Sequence, residues 1–139
     1  MNYQEFEDVV AFRIDSGEEL LEQIVAICQM LNISSGTITG IGATNHVTMG
    51  VYEVGTKQYH SKTMTGDHEI TNLSGTITMM DDSPYLHLHI TVANSHNEAF
   101  AGHLNKAVIS ATFEGVITKI KGTLRRRHNS SIGLNLLDL

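Results

Sequence analysis

Only one segment of this chain carries an apolar pattern with the period of a helix, and nearly everything after it alternates with the period of a strand. The segment is DSGEELLEQIVAICQMLN, residues 15–32. Leu20, Leu21, Ile24, Val25, Ile27, Cys28 and Leu31 recur in it at helical spacing and form one broad apolar stripe. Ser16 stands three residues before Glu19, the spacing of a capping box, and Glu18, Glu19 and Glu22 suit the positive end of the helix dipole. Asn32 and the Ser34, Ser35, Gly36 run close the helix. A run of strands after a single helix favours an α+β domain with a largely antiparallel sheet, one main N-terminal helix and short additional helical turns.

The strand segments are short and separated by turn residues. GTITGIGA (36–43) begins as a strand and turns glycine-rich; without a following Gly-Lys-Ser/Thr, Gly40 and Gly42 read as turn or close-approach positions, not a phosphate loop. HVTMGVYEV (46–54) and KQYHSKTM (57–64) join through Gly55. HEITNLSGTITMM (68–80) follows, with Ile70, Gly75, Ile77 and Met79 alternating. Asp81, Asp82, Ser83 and Pro84 turn the chain into YLHLHITV (85–92). An irregular stretch then leads to a last long strand, AVISATFEGVITKI (107–120), and residues 123–139 read as a terminal hairpin or a returning arm. There is no repeat and no linker, so 1–139 is expected to be a single domain.

Composition narrows the function classes. No segment is long and apolar enough to cross a bilayer, and the acidic start lacks the features of a signal peptide, which makes a cytoplasmic protein the expectation. Cys28 lies inside the helix stripe and reads as a small buried residue, not a reactive thiol. A net charge of −6 argues against a surface broadly committed to nucleic acid. Basic residues nevertheless gather at the end, and Arg125, Arg126, Arg127 and His128 form a run that reads either as a phosphate contact or as a solvated strand with ion-pair partners.

The chemistry-bearing feature is His87 and His89 in YLHLHITV. Residues two apart on a strand share a face, so Tyr85, His87, His89 and Thr91 lie on one side while Leu86, Leu88, Ile90 and Val92 face the core. A rise of about 3.3 Å per residue sets the two imidazoles about 6.6 Å apart along the strand, close enough for both rings to lean onto one ion. His103 in AFAGHLNKA is a third candidate, because the chain can turn at ANSHNE and return beside the strand. Three neutral nitrogens with water or another donor in the fourth position form a recognised zinc set. Glu69 and Glu114 are strand carboxylates that could orient a histidine through its second nitrogen. His96 belongs to the turn, and His46, His60 and His68 read as surface residues. No Ser-His-Asp, Cys-His or nucleophile-elbow arrangement is present, so no catalytic residue is assigned.

Several of these segments together resemble the plant and prokaryote conserved (PPC) domain family. The resemblance rests on Arg13, Gly17 and Glu18 at the start, the Gly40-Ile41-Gly42 turn, Glu69 to Ile77 with its Leu-Ser-Gly, the His-Leu-His strand, and Gly102-His103-Leu104. It runs in order from about residue 10 to the end. Ala101 and Ala107 stand where the family usually has glycine, and Ser95, His96, Asn97 and Glu98 replace a commoner Asp-Gly turn. The resemblance implies an α+β homotrimer with His87, His89 and His103 grouped at a divalent-metal site, zinc being the expected ion. DNA association is a further property attached to the family, through plant members that carry an R-G-R-P core; this chain has none. Three functions follow as expectations: a metal-binding assembly or regulatory module, a small metalloenzyme using the three histidines, and a DNA-associated regulator using the C-terminal basic run.

Overall fold

A computed structural model describes all 139 residues. Strands β1 (Asn2–Glu5) and β2 (Val9–Asp15) lead into the one helix, α1 (Leu20–Met30). Four long strands follow, β3 (Gly36–Glu53), β4 (Gln58–Met80), β5 (Ser83–Ala93) and β6 (Ala99–Lys119), and a small hairpin ends the chain, β7 (Arg126–Asn129) and β8 (Leu134–Leu137). Every strand pairing in the two sheets is antiparallel. The fold is therefore more β-rich than the sequence pattern suggests, and the expected additional helical turns are absent from the connections. What reads as turn or irregular chain is instead drawn into long strands, because each can pair on both sides.

The pairings close on themselves. β3 bonds to β4, β4 to β5, β5 to the first part of β6, and β6 back to β3. Beyond β5, the free side of β6 is taken by β2, from Thr112 to Thr118, and β1 adds to β2. α1 packs against β5 and β6 through Leu20, Ile24, Ile27 and Cys28, all buried. Closure leaves few open edges and gives one core, to which Ile38, Leu73, Ile77, Leu88, Ile90 and Phe113 are fully buried contributors. Burial pushes the Cys28 thiol up to about 12, in keeping with an inert core residue.

The helix start differs in detail from the capping box. Glu19, not Ser16, is the cap: its carboxylate accepts from the Glu22 amide at 2.8 Å and also from the Ala107 amide at 3.0 Å on β6. Ser16 instead donates to the Ser110 carbonyl at 2.8 Å. A carboxylate that satisfies a helix end and a strand amide together outbids a hydroxyl that can serve only one. At the other end Asn32 adopts the left-handed conformation (φ 53°) that closes the helix.

Candidate metal centre

β5 alternates as its sequence dictates. Leu88, Ile90 and Val92 are buried, whereas His87 and His89 point to the outer face. His103 lies on β6, in a stretch that reads as irregular in sequence but is strand from Ala99 onward, and its Cα partner across the ladder is His89. The other neighbour of His103 is Gly50 on β3. A Cβ on Gly50 would fall 2.7 Å from the Tyr59 ring, so glycine there lets Tyr59 cross the strand and reach the site. The ring stands edge-on to His103, with centroids 6.2 Å apart, and its hydroxyl donates to Asn105 Oδ1 at 2.7 Å.

The three imidazoles form a nearly equilateral triangle, with ring centroids 5.3, 5.4 and 5.6 Å apart. One ligating nitrogen from each lies within 4.8 Å of the others. Tetrahedral nitrogen ligands at 2.0–2.1 Å sit about 3.3 Å from one another, so closing on an ion asks each nitrogen to move inward by less than about 1 Å. The protonation state suits this as well. Burial first, then the Arg126 charge and the other two histidines, holds His87 below the ordinary imidazole range, and burial with His89 does the same for His103. Neutral imidazoles are the form a metal requires. The donor set therefore fits a divalent ion of zinc type.

The triangle opens into a cavity of about 790 Å³. Its walls include Tyr52, Tyr59, Tyr85 and, from the terminal hairpin, Arg126, Leu134 and Leu136. Neither Glu69 nor Glu114 hydrogen-bonds to any of the three rings. Glu69 is exposed on β4 opposite Ala43 and Ala93, and Glu114 lines a different, more open hollow of about 770 Å³ with Arg13, Ile41 and Val116. The side chain that does hydrogen-bond to one of the three rings is Arg126, whose Nη2 donates to His87 Nδ1 at 3.4 Å. His68 also departs from its surface assignment: it is 9% exposed, lies opposite the fully buried Thr44, and its Nδ1 is 2.7 Å from the Gly66 carbonyl. His46 is half-buried, and His60 and His96 are exposed.

The basic run resolves into three separate roles. Strand alternation turns Arg125 and Arg127 outward to Asp82 at 3.3 Å and Asp138 at 3.0 Å. Arg126 turns inward, donating to Thr78 Oγ1 at 3.0 Å, Thr76 Oγ1 at 3.2 Å and the Asn135 carbonyl at 2.8 Å, with its guanidinium 5.0 Å over the Tyr85 ring.

Fold and site together define a small closed antiparallel-sheet domain with a histidine triad at a cavity mouth. The Plants and Prokaryotes Conserved (PCC) domain matches residues 1–121, and the chain belongs to that family. Among solved structures, a protein of Bacteroides thetaiotaomicron, provisionally named as DNA-binding, is 36% identical with a TM-score of 0.96, covering 99% of this chain and 96% of its own. A protein of Archaeoglobus fulgidus named as metal-containing is 29% identical, with a TM-score of 0.87 and 99% of each chain covered. A plant- and prokaryote-conserved protein of Pyrococcus horikoshii is 25% identical, with a TM-score of 0.87, covering 99% of this chain and 94% of that one. No curated protein matches.

Proposed function

We propose that this protein is a metal-binding module in which His87, His89 and His103 hold one divalent ion, zinc, and leave a coordination position directed at the cavity. The observation that carries the reading is the approach of three ligating nitrogens, from two strands, to within 4.8 Å of one another. The metal-containing neighbour from Archaeoglobus fulgidus supports it. The module acts by binding, as an assembly or regulatory unit, and the family resemblance supports a homotrimer as its form. Exposed Tyr3, Ile41 and Val116 around the second hollow are apolar surface that neighbouring subunits would cover.

Metal analysis of protein purified without chelator tests this. About one zinc per chain is expected, with His89→Ala reducing it to background while the fold persists; wild-type protein that stays metal-free in micromolar zinc would refute the site.

A metalloenzyme remains the second reading, favoured by the open position on a sizeable cavity. The cavity's lining offers no carboxylate to serve as general base, which weights the binding reading above it. DNA association draws support from the names of neighbours such as the Bacteroides protein. Against it, two of the three arginines in the basic run are paired with aspartates and the third faces inward. A duplex titration at several salt concentrations decides, because phosphate contacts must give an affinity that falls steeply with salt.

A further inference from the structure

The terminal hairpin lies outside the residues matched by the family model, yet it supplies one wall of the histidine cavity. It is held there by specific contacts: Tyr52 donates to the Ile132 carbonyl at 2.8 Å, Lys57 to the Ser130 carbonyl at 3.1 Å, and the Met79 amide to the Leu124 carbonyl at 2.9 Å. What the hairpin delivers is a half-buried guanidinium with no acidic partner. All the acceptors of Arg126 are neutral: two threonine hydroxyls, one carbonyl and one imidazole nitrogen. No Asp or Glu lines the cavity, in a chain whose net charge is −6.

A count of hydrogens sharpens this. A guanidinium has five N–H groups, one on Nε and two on each Nη. Thr78 takes the one on Nε, Asn135 one on Nη1, Thr76 one on Nη2, and His87 Nδ1 the other on Nη2, by the longest of the four contacts. One N–H of Nη1 is left over. The contact to His87 requires a lone pair on Nδ1, and a metal removes it in either of two ways. If Nδ1 ligates, the lone pair goes to the ion; if Nε2 ligates, Nδ1 carries the proton. Metal loading would thus leave one N–H on Nη2 and one on Nη1 without an acceptor, and N–H groups on these two nitrogens of one guanidinium are what receives a carboxylate in bidentate fashion.

From this we infer that the cavity is a binding site for a small organic carboxylate with an apolar body, its carboxylate on Arg126 and its remaining bulk against Tyr52, Leu134 and Leu136. The inference rests on the metal reading above. It commits to a carboxylate because the two terminal nitrogens of one planar guanidinium would each offer an N–H, and because the rest of the lining, with Val51, Val54, Leu134 and Leu136 among its apolar members, holds no further Lys or Arg to meet a larger oxyanion.

Cobalt(II)-substituted protein gives a test that does not need an activity, since its visible spectrum changes when a ligand enters the metal's surroundings. Isobutyrate is the probe, isobutyramide its neutral control and inorganic phosphate the competing anion. Isobutyrate should bind at least tenfold more tightly than either. Arg126→Gln should keep its one metal per chain and lose at least tenfold in isobutyrate affinity, and Arg126→Lys, which keeps charge without the fork, should fall between. Metal-free wild type would overturn both readings together. Metal-loaded protein in which isobutyrate binds no better than isobutyramide or phosphate, or in which Arg126→Gln leaves its affinity unchanged, would overturn this inference alone. Equal loss of both isobutyrate and isobutyramide in Arg126→Gln would show that the arginine only braces the hairpin, and would overturn it too.

Discussion

His87 and His103 are held neutral by the place the fold gives them, and that has a thermodynamic sign. Their pKa values lie below the unfolded imidazole value of about 6.5, so between the two values the unfolded chain binds more protons than the folded one. The stability tied to the neutral rings is fully present above about pH 6.5 and is lost as pH falls through the lowered folded values. In metal-free protein the urea midpoint should therefore decline below about pH 6.5, and the decline should be shallower in the double variant His87→Asn, His103→Asn; the slope is modest because both rings are partly exposed. A midpoint that is flat from pH 7 to pH 5 would contradict this. Zinc should leave over the same range, since protons compete for the same nitrogens. The His-Leu-His alternation was legible at this scale because strand period alone places both rings on one face. Arg126 was not: in sequence it is one of three consecutive arginines, and it is set apart only in the fold, where its neighbours pair with Asp82 and Asp138 while it turns inward to Thr76, Thr78 and His87.

β4 and β5 approach each other through a glycine. A Cβ on Gly75 would fall 2.0 Å from the His87 carbonyl oxygen, so any side chain there must part the two strands at the residue that carries the first histidine. Gly75→Ala is expected to cost about 3 kcal/mol in urea unfolding, as a forced backbone shift in a core sheet, and to weaken zinc binding. An alanine variant with wild-type stability and zinc affinity would refute the link between this contact and the site. Alternation failed as a guide where the ladder is irregular. β4 and β5 shift register between Ile70 and Asn72, and the buried position moves to Leu73, where strict alternation from Ile70 would skip it. Likewise AFAGHLNKA lacks the β-branched residues that announce a strand, yet β5 and β3 both pair with it.

Closure of β3, β4, β5 and β6 brings residues fourteen apart in the chain, His89 and His103, directly opposite one another, and lets a C-terminal hairpin roof them. At this scale the prediction concerns assembly: for the proposed homotrimer, sedimentation equilibrium should return three times the chain mass at micromolar concentration. A stable monomer would contradict it. Phe113, fully buried where β2, β3 and β6 meet, anchors the shared core, and Phe113→Ala should cost about 3–5 kcal/mol in the same urea measurement. By its residues alone the chain determined one amphipathic helix, the inward and outward faces of β5, and a pair of histidines on the outward one, because helix and strand periods are local properties of backbone geometry. Only the tertiary structure decided that a third imidazole completes the triangle, that the carboxylates Glu69 and Glu114 make no contact with it, and that Arg126 does, since register and closure depend on hydrogen bonds between segments distant in sequence, which no local pattern encodes.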